Sequence, residues 1–251
     1  MAKRRIIIPA RYASSRLPGK PLADIGGKPM IQHVYELALR CQFDSVVIAT
    51  DDQRIYDVAQ KLGAAVCMTD PNHPSGTDRA AEVLEQLGYD DEDIIVGLQG
   101  DEPLTPIANV IQVANNLESN PKANMATLCE RMWGLKEIMN PNFVKVVFDI
   151  HGYAMYFSRA PIPYARESFP HELPANPECF LHVGIYAYRG EFLRHYSELA
   201  PAPIEDCEKL EQLRVMWHGG KIHVDIAKEH NAIGVNTVED LEVVRKLILE
   251  K

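Results

Sequence analysis

Just past the first apolar run of this 251-residue chain, residues 11–20 read R-Y-A-S-S-R-L-P-G-K. Arg11, Ser14, Ser15, Arg16, Gly19 and Lys20 put guanidinium, hydroxyl and ammonium groups on one loop that holds no carboxylate. Phosphates are recognised by converging cations, hydroxyls and backbone N–H groups, and a glycine lets the backbone approach closely. The whole chain carries a net charge of −9, so the loop is a local exception. An anionic ligand must be drawn in by these cations, because the global field opposes it. A polyphosphate is the natural guest. The loop is not a Walker A sequence: it has one glycine, and Pro21 follows the lysine where a hydroxyl residue belongs. A solvated basic loop would have the same composition, so the loop alone does not decide.

A second group, Gln99-Gly100-Asp101-Glu102-Pro103, follows an apolar run. A carboxylate at the carboxyl end of a strand, opposite a phosphate loop, is where a hard divalent cation is wanted. Mg²⁺ takes one or two protein carboxylates plus phosphate oxygens. Asp101 is the candidate ligand. Glu102 precedes Pro103 and reads as a turn residue, and D-E-P is also ordinary turn chemistry. The third group is His73-Pro74-Ser75-Gly76-Thr77-Asp78-Arg79. Ser75 and Gly76 are small enough to expose backbone to a base edge, Thr77 is a candidate helix N-cap, and Arg79 a candidate anion or base contact. Asp51 and Asp52 read as helix-start residues. A fourth set is Ser158-Arg159, His182 with Tyr186, and Glu211-Gln212. A polar sugar acid calls for an arginine for its carboxylate and for amide, imidazole or phenol groups for its hydroxyls. His182 fits equally well as a satisfied core histidine.

Positioning such loops requires a scaffold. Ile6, Ile7 and Ile8 form a β-branched run suited to a strand buried on both faces of a parallel sheet. Ligands in such sheets bind beyond the strands' carboxyl ends. Further strands are expected at 45–50, 65–68 and 93–99, alternating with helices at 30–40, 53–62, 77–87 and 106–117. This is the rhythm of a doubly wound α/β fold. Residues 124–129, 144–149, 153–158 and 182–188 are strand-like and joined by proline-rich loops, and they are expected to extend the sheet and to form an arm or lobe inserted at about 124–200 in a single 1–251 domain. Helices at 205–217 and 237–249 return to the core.

The acidic balance argues against a nucleic-acid partner, and no apolar run approaches the length of a membrane span. The N-terminal M-A-K-R-R-I-I-I begins like a signal peptide, but Pro9 and Arg11 cut its apolar run short. Five scattered cysteines, none in a C-x-x-C pair, fit a reducing cytoplasm better than a disulfide framework or zinc site. No Ser-His-Asp or Cys-His arrangement points to a hydrolase.

The order of these motifs resembles a known family. I-P-A-R-Y-A-S-S-R-L-P-G-K-P-L, A-T-D-D, H-P-S-G-T-D-R, L-Q-G-D-E-P, Y-F-S-R-A-P-I-P, H-V-G-I-Y-A-Y-R and E-K-L-E-Q-L-R together resemble the 3-deoxy-manno-octulosonate cytidylyltransferases, over almost the whole chain. The resemblance implies a Rossmann-like nucleotidyltransferase fold with a mostly parallel sheet and an inserted sugar-binding and dimerisation lobe. It also implies CTP and 3-deoxy-D-manno-octulosonate (Kdo) as substrates, a homodimer, Mg²⁺ dependence and a cytoplasmic role in lipopolysaccharide synthesis. By that resemblance Arg11, Ser14, Arg16 and Lys20 hold the CTP triphosphate, with Arg16, Lys20 and Asp101 acting in catalysis. Ser75, Gly76, Thr77, Arg79 and Gln99 surround cytosine and ribose, and Arg159, His182, Tyr186, Glu211 and Gln212 form the sugar-acid pocket. Where the family reads G-V-D-T, with the aspartate on the metal, this chain reads G-V-N-T, so Asn236 is the second metal candidate. Alternatives are a cytidylyltransferase for a related 2-keto sugar acid, such as a sialic acid or amino-Kdo, and a silent nucleotide-binding regulatory protein.

Overall fold

The computed structural model describes residues 2–13, 17–231 and 234–250. Strand β1 (Arg4–Ala10) leads through a 3-10 turn (Lys20–Leu22) and a small hairpin, β2 (Asp24–Ile25) and β3 (Lys28–Pro29), into helix α1 (Met30–Arg40). β4 (Ser45–Thr50), α2 (Gln53–Lys61), β5 (Ala65–Met68), α3 (Gly76–Leu87), β6 (Ile94–Gly97) and α4 (Ile107–Ser119) continue the alternation. There follow β7 (Met125–Arg131), α5 (Leu135–Ile138), β8 (Lys145–Phe148), β9 (Ala154–Ser158) and β10 (Phe180–Arg189). The chain closes with α6 (Gly190–Tyr196), α7 (Pro203–Glu208), α8 (Gln212–Trp217), β11 (Ile222–Ile226) and α9 (Val238–Leu249). Among the described residues, no helix is long and apolar enough to cross a membrane.

The main sheet has the order β11-β7-β10-β6-β1-β4-β5, with β8 and β9 branching from β10. β1 lies at its centre, parallel to both β4 and β6. That explains the isoleucine run. Successive side chains of a strand point to opposite faces, so Ile6 and Ile8 join Ile31, Val34, Val110 and Val113 of α1 and α4. Ile7 faces the other way, onto the layer that holds Val83 and Leu84 of α3 and Leu193 of α6. All three isoleucines are fully buried.

Three expectations are refined or corrected. Of the strands expected to extend the sheet and form an inserted arm, β7 and β10 sit inside the main sheet, antiparallel to each other, and β8 and β9 form a branch. The expected helix at 205–217 is two short helices, because Lys209 adopts a left-handed conformation (φ 53°) that ends α7. No glycine or proline marks this break; buried Leu210 turns the chain inward instead. Third, the cap of α3 is Ser75, whose Oγ accepts from the Asp78 N–H at 3.2 Å. Thr77 lies in the first turn and turns its hydroxyl to the Tyr188 hydroxyl at 3.0 Å. Finally, β11 and α6 carry no expectation at all. β11 is a five-residue edge strand paired parallel with β7, too short for its alternation to stand out. Thr237, expected as the first residue of the last helix, is the cap of α9, in a reciprocal arrangement with Asp240.

Candidate active site

Beyond the carboxyl ends of β1 and β6 lies a cleft of about 660 Å³. Its floor is Pro9, Ala10, Gln99, Gly100 and Asp101. A Cβ on Gly100 would stand 2.7 Å from the Pro9 carbonyl oxygen, so the two strand ends approach this closely only with glycine there. Arg11, Ala13 and Lys20 form one wall, and Pro74, Ser75 and Gly76, at the start of α3, form the next. The loop between them closes at Gly19, in a left-handed conformation (φ 69°), whose N–H donates to the Tyr12 carbonyl at 2.9 Å. Ser14, Ser15 and Arg16 lie outside the described residues.

The wall opposite comes from the α7–α8 region: Glu205, Asp206, Lys209, Leu210, Glu211 and Arg214. Of these, only Glu211 was expected. Arg214 and Glu205 form a two-pronged ion pair, at 2.8 and 2.6 Å, that joins the two helices. Nothing in the local sequence singles out Glu205, Lys209 or Arg214, because only the kink at Lys209 brings them to the cleft.

Lys20 and Asp101 form an ion pair across the floor, and the Lys20 ammonium also donates to the Val235 carbonyl at 3.0 Å. The Val235 N–H in turn donates to the Asp101 carbonyl at 2.8 Å. This stitching brings the 234–236 segment alongside Asp101. Its next residue, Asn236, donates its backbone N–H to Asp240 Oδ2 at 2.9 Å. Glu102 accepts from the Thr105 hydroxyl at 3.2 Å. Burial, assisted by the charge of Asp101, pushes the Glu102 carboxyl up to about 7. Asp101 is the carboxylate paired with a cation, while burial favours the neutral form of its neighbour.

The donors on the described cleft walls are carboxylates, hydroxyls, amides and backbone groups, with no imidazole or thiol. Among the described residues no three His, Cys, Asp or Glu side chains converge on one point. Such a set does not make a cage for a soft metal. It does fit a Mg²⁺ ion that takes one or two protein oxygens and draws its other ligands from a bound phosphate chain.

The remaining expected site residues lie behind the cleft. Arg79 is fully buried; Nη2 reaches Asp51 at 2.8 Å and Nη1 reaches Thr69. Burial lowers its pKa against the opposing charge of Asp51. It braces the ends of β4 and β5 against α3 and does not open to the cleft. His182 sits between Phe157 and Tyr186, with Nε2 3.0 Å from the Thr127 hydroxyl. Burial pushes its pKa down to about 3, so it is a neutral, satisfied histidine. Tyr186, Gln212 and Glu211 share a small buried pocket with Thr77, Tyr188 and Tyr196. Glu211 also lines the main cleft, joining the two. Burial raises its carboxyl pKa, while the polar Ser75 and Thr77 side chains oppose the shift. Gln212 Nε2 and the Tyr196 hydroxyl are buried there without a hydrogen-bond partner among the described residues. Arg159 does not line the cleft, and its guanidinium is held by the carbonyls of Glu208 and Pro141, at 2.6 and 3.0 Å.

A doubly wound sheet places its ligand cleft at this switch point, and here a cation–carboxylate pair stands in it. Residues 5–225 match the cytidylyltransferase family. A 3-deoxy-manno-octulosonate cytidylyltransferase from Vibrio campbellii is 55% identical over 248 residues, covering 98% of each chain. One from Francisella tularensis subsp. holarctica is 53% identical over 247 residues, covering 98% of this chain and 99% of the relative. The solved structure of a CMP:2-keto-3-deoxy-manno-octonic acid synthetase complexed with CTP superposes with a TM-score of 0.91 at 43% identity, over 99% of both chains. The chain belongs to the cytidylyltransferase family and, within it, to the 3-deoxy-manno-octulosonate cytidylyltransferases.

Proposed function

We infer that this chain transfers a cytidylyl group from CTP to Kdo, giving CMP-Kdo and pyrophosphate. We further propose that it works in the cytoplasm as a Mg²⁺-dependent homodimer in lipopolysaccharide synthesis. The observation that carries the reading is the meeting of Arg11, Lys20 and Asp101 in one cleft at the ends of β1 and β6. The anomeric hydroxyl oxygen of Kdo forms a bond to the α-phosphorus, the bond to the bridging α–β oxygen breaks, and pyrophosphate leaves with that electron pair. The hydroxyl proton passes to solvent. Such chemistry is governed by positioning and charge neutralisation.

Each side chain then has a task. Lys20 exchanges Asp101 for the triphosphate and, with Arg11, neutralises the departing pyrophosphate. Ser75 and Gly76 present small side chains and backbone to the base. Glu211, which lines the cleft, meets the sugar hydroxyls. Asp101, with the 234–236 segment beside it, would hold Mg²⁺, whose chemistry is neutralisation of phosphate charge. The test is pyrophosphate release with CTP and a panel of 2-keto sugar acids. Release confined to Kdo supports the reading. Preference for a sialic acid or amino-Kdo would reassign the sugar, and no release with any acid would leave a nucleotide-binding protein.

Asn236 offers a neutral oxygen where an aspartate would add charge, and Mg²⁺ favours anionic oxygens. Asn236→Asp is therefore expected to shift the Mg²⁺ activation curve to lower concentration without altering the nucleotide preference. An unchanged curve would remove position 236 from the metal site.

A further inference from the structure

His73 opens the H-P-S-G-T-D-R group, yet the reaction as derived gives it no task. It sits in the turn between β5 and α3, and the three residues after it, Pro74, Ser75 and Gly76, line the cleft. At the near end of the turn, Thr69 is fixed to β4: its N–H and its hydroxyl both donate to the Thr50 carbonyl, at 2.8 and 3.1 Å. The far end is Ser75, the cap of α3. Residues 70–74 between them belong to no strand or helix. Pro71 and Pro74 have no N–H to donate. Side chains must hold this stretch.

One carboxylate does so. Glu82, on α3, accepts at Oε2 from the Asp70 N–H at 2.9 Å and from His73 Nε2 at 2.5 Å. A carboxylate only accepts, so Nε2 carries the proton. Glu82 Oε1 accepts from Gln86 Nε2 at 2.8 Å, and the same amide donates to the Met68 carbonyl at 3.0 Å, at the end of β5. Asp70 Oδ1 accepts from the Asn72 N–H at 2.8 Å and from its side-chain amide at 2.9 Å, which closes the turn. Burial works to raise the Glu82 carboxyl, but the Asp70 N–H, His73 and Gln86 outweigh it and hold it below its ordinary value. Residues 68, 70 and 73 are thus stapled to α3. Pro74 restricts its own backbone and that of His73, so the place of the imidazole is passed on to the wall that follows.

We propose that His73 and Glu82 are positioning residues that set the Pro74–Gly76 wall of the cleft for the nucleotide. The inference rests on the reading of that wall as the base contact. Neither residue lines the cleft itself; each acts through the wall. The wall has little room to drift: a Cβ on Gly76 would stand 3.5 Å from Pro9 Cγ and 4.0 Å from Gln99 Oε1, both on the cleft floor. Misplacing a substrate-holding group by about 1 Å costs up to roughly a hundredfold, so a nucleotide-selective defect is expected when the staple is cut.

The experiment measures kcat, and KM for CTP and for Kdo separately, in His73→Ala, His73→Gln, Glu82→Ala, the double variant His73→Ala/Glu82→Ala and Gly76→Val. The His73 and Glu82 side chains are 21% and 27% exposed, so their variants stay folded, and circular dichroism checks this. His73→Ala and Glu82→Ala should each raise the CTP KM about fivefold or more. The Kdo KM, and kcat at saturating CTP, should stay within about twofold. A merely structural defect would move all three together. His73→Gln presents an amide N–H to Glu82 and should recover most of the loss. The double variant should be no worse than Glu82→Ala alone, since both changes cut one interaction. Gly76→Val carries a side chain into the cleft and tests the wall itself. A raised CTP KM in Gly76→Val beside an unchanged one in His73→Ala overturns the positioning role. So does an equal rise for both substrates, or a His73→Gln as impaired as His73→Ala. An unchanged CTP KM in Gly76→Val overturns the reading of the wall as the base contact, and the staple's purpose with it.

Discussion

Asp101→Asn is expected to lose turnover by about a thousandfold or more while the protein stays folded. A metal-held charge at a phosphoryl centre contributes several kcal/mol to the transition state, and about 1.4 kcal/mol is tenfold in rate. The folding cost is small by comparison. The Lys20–Asp101 pair retains solvent contact, with side-chain exposures of 15% and 27%, and such pairs contribute no more than about 1 kcal/mol. The two effects are separable by a third measurement. Removing the carboxylate leaves the Lys20 ammonium without its ionic partner in the cleft, so CTP binding in the absence of Mg²⁺ should not weaken. A variant with near-normal turnover at ordinary Mg²⁺ would take Asp101 out of the mechanism. A large drop in Tm would make its role structural.

Lys20→Ala is the second large effect. A preorganised donor to a charged transition state is worth about 3 kcal/mol, so kcat/KM should fall roughly a hundredfold. The structure adds a further consequence. Lys20 also ties the Val235 carbonyl to the cleft floor, so its loss should loosen the 234–236 segment as well. The Mg²⁺ requirement of Lys20→Ala should rise alongside the fall in rate. A twofold change in kcat/KM would reduce the loop to a solvated basic surface, the alternative that composition alone leaves open.

The cleft floor was legible because its determinants are local. A triple isoleucine run, Pro9 and a cationic loop occupy consecutive positions, and the Q-G-D-E-P turn directly follows another apolar run. In a parallel sheet both turns must emerge at the same edge, so Arg11, Lys20, Gln99 and Asp101 share a cleft whatever the rest of the fold does. The opposite wall was not legible. Its helix looked continuous from 205 to 217 because no glycine or proline interrupts it; the left-handed turn at Lys209 is held by burial of Leu210 and by the Arg214–Glu205 pair. Those are contacts between elements, invisible to a periodicity argument.

The same division separates side chains of equal chemical promise. Arg11, Lys20 and Arg79 are all cations in candidate ligand motifs, and nothing in their types distinguishes them. The first two stand at a strand end open to the cleft, whereas Arg79 falls one turn inside α3, where its neighbours are Asp51 and Thr69. His182 reads as imidazole chemistry in a sequence, yet burial holds it neutral. Lys145 carries no expectation from the sequence, and three carbonyls surround its ammonium. By itself the sequence determined the strand–helix alternation, the sheet edge that carries the chemistry and, through its motif order, the family. Only the tertiary structure decided which charges face the ligand and which brace the frame. Alternation and turn chemistry act over a few residues, whereas desolvation and partner choice depend on what distant elements bring to the same place.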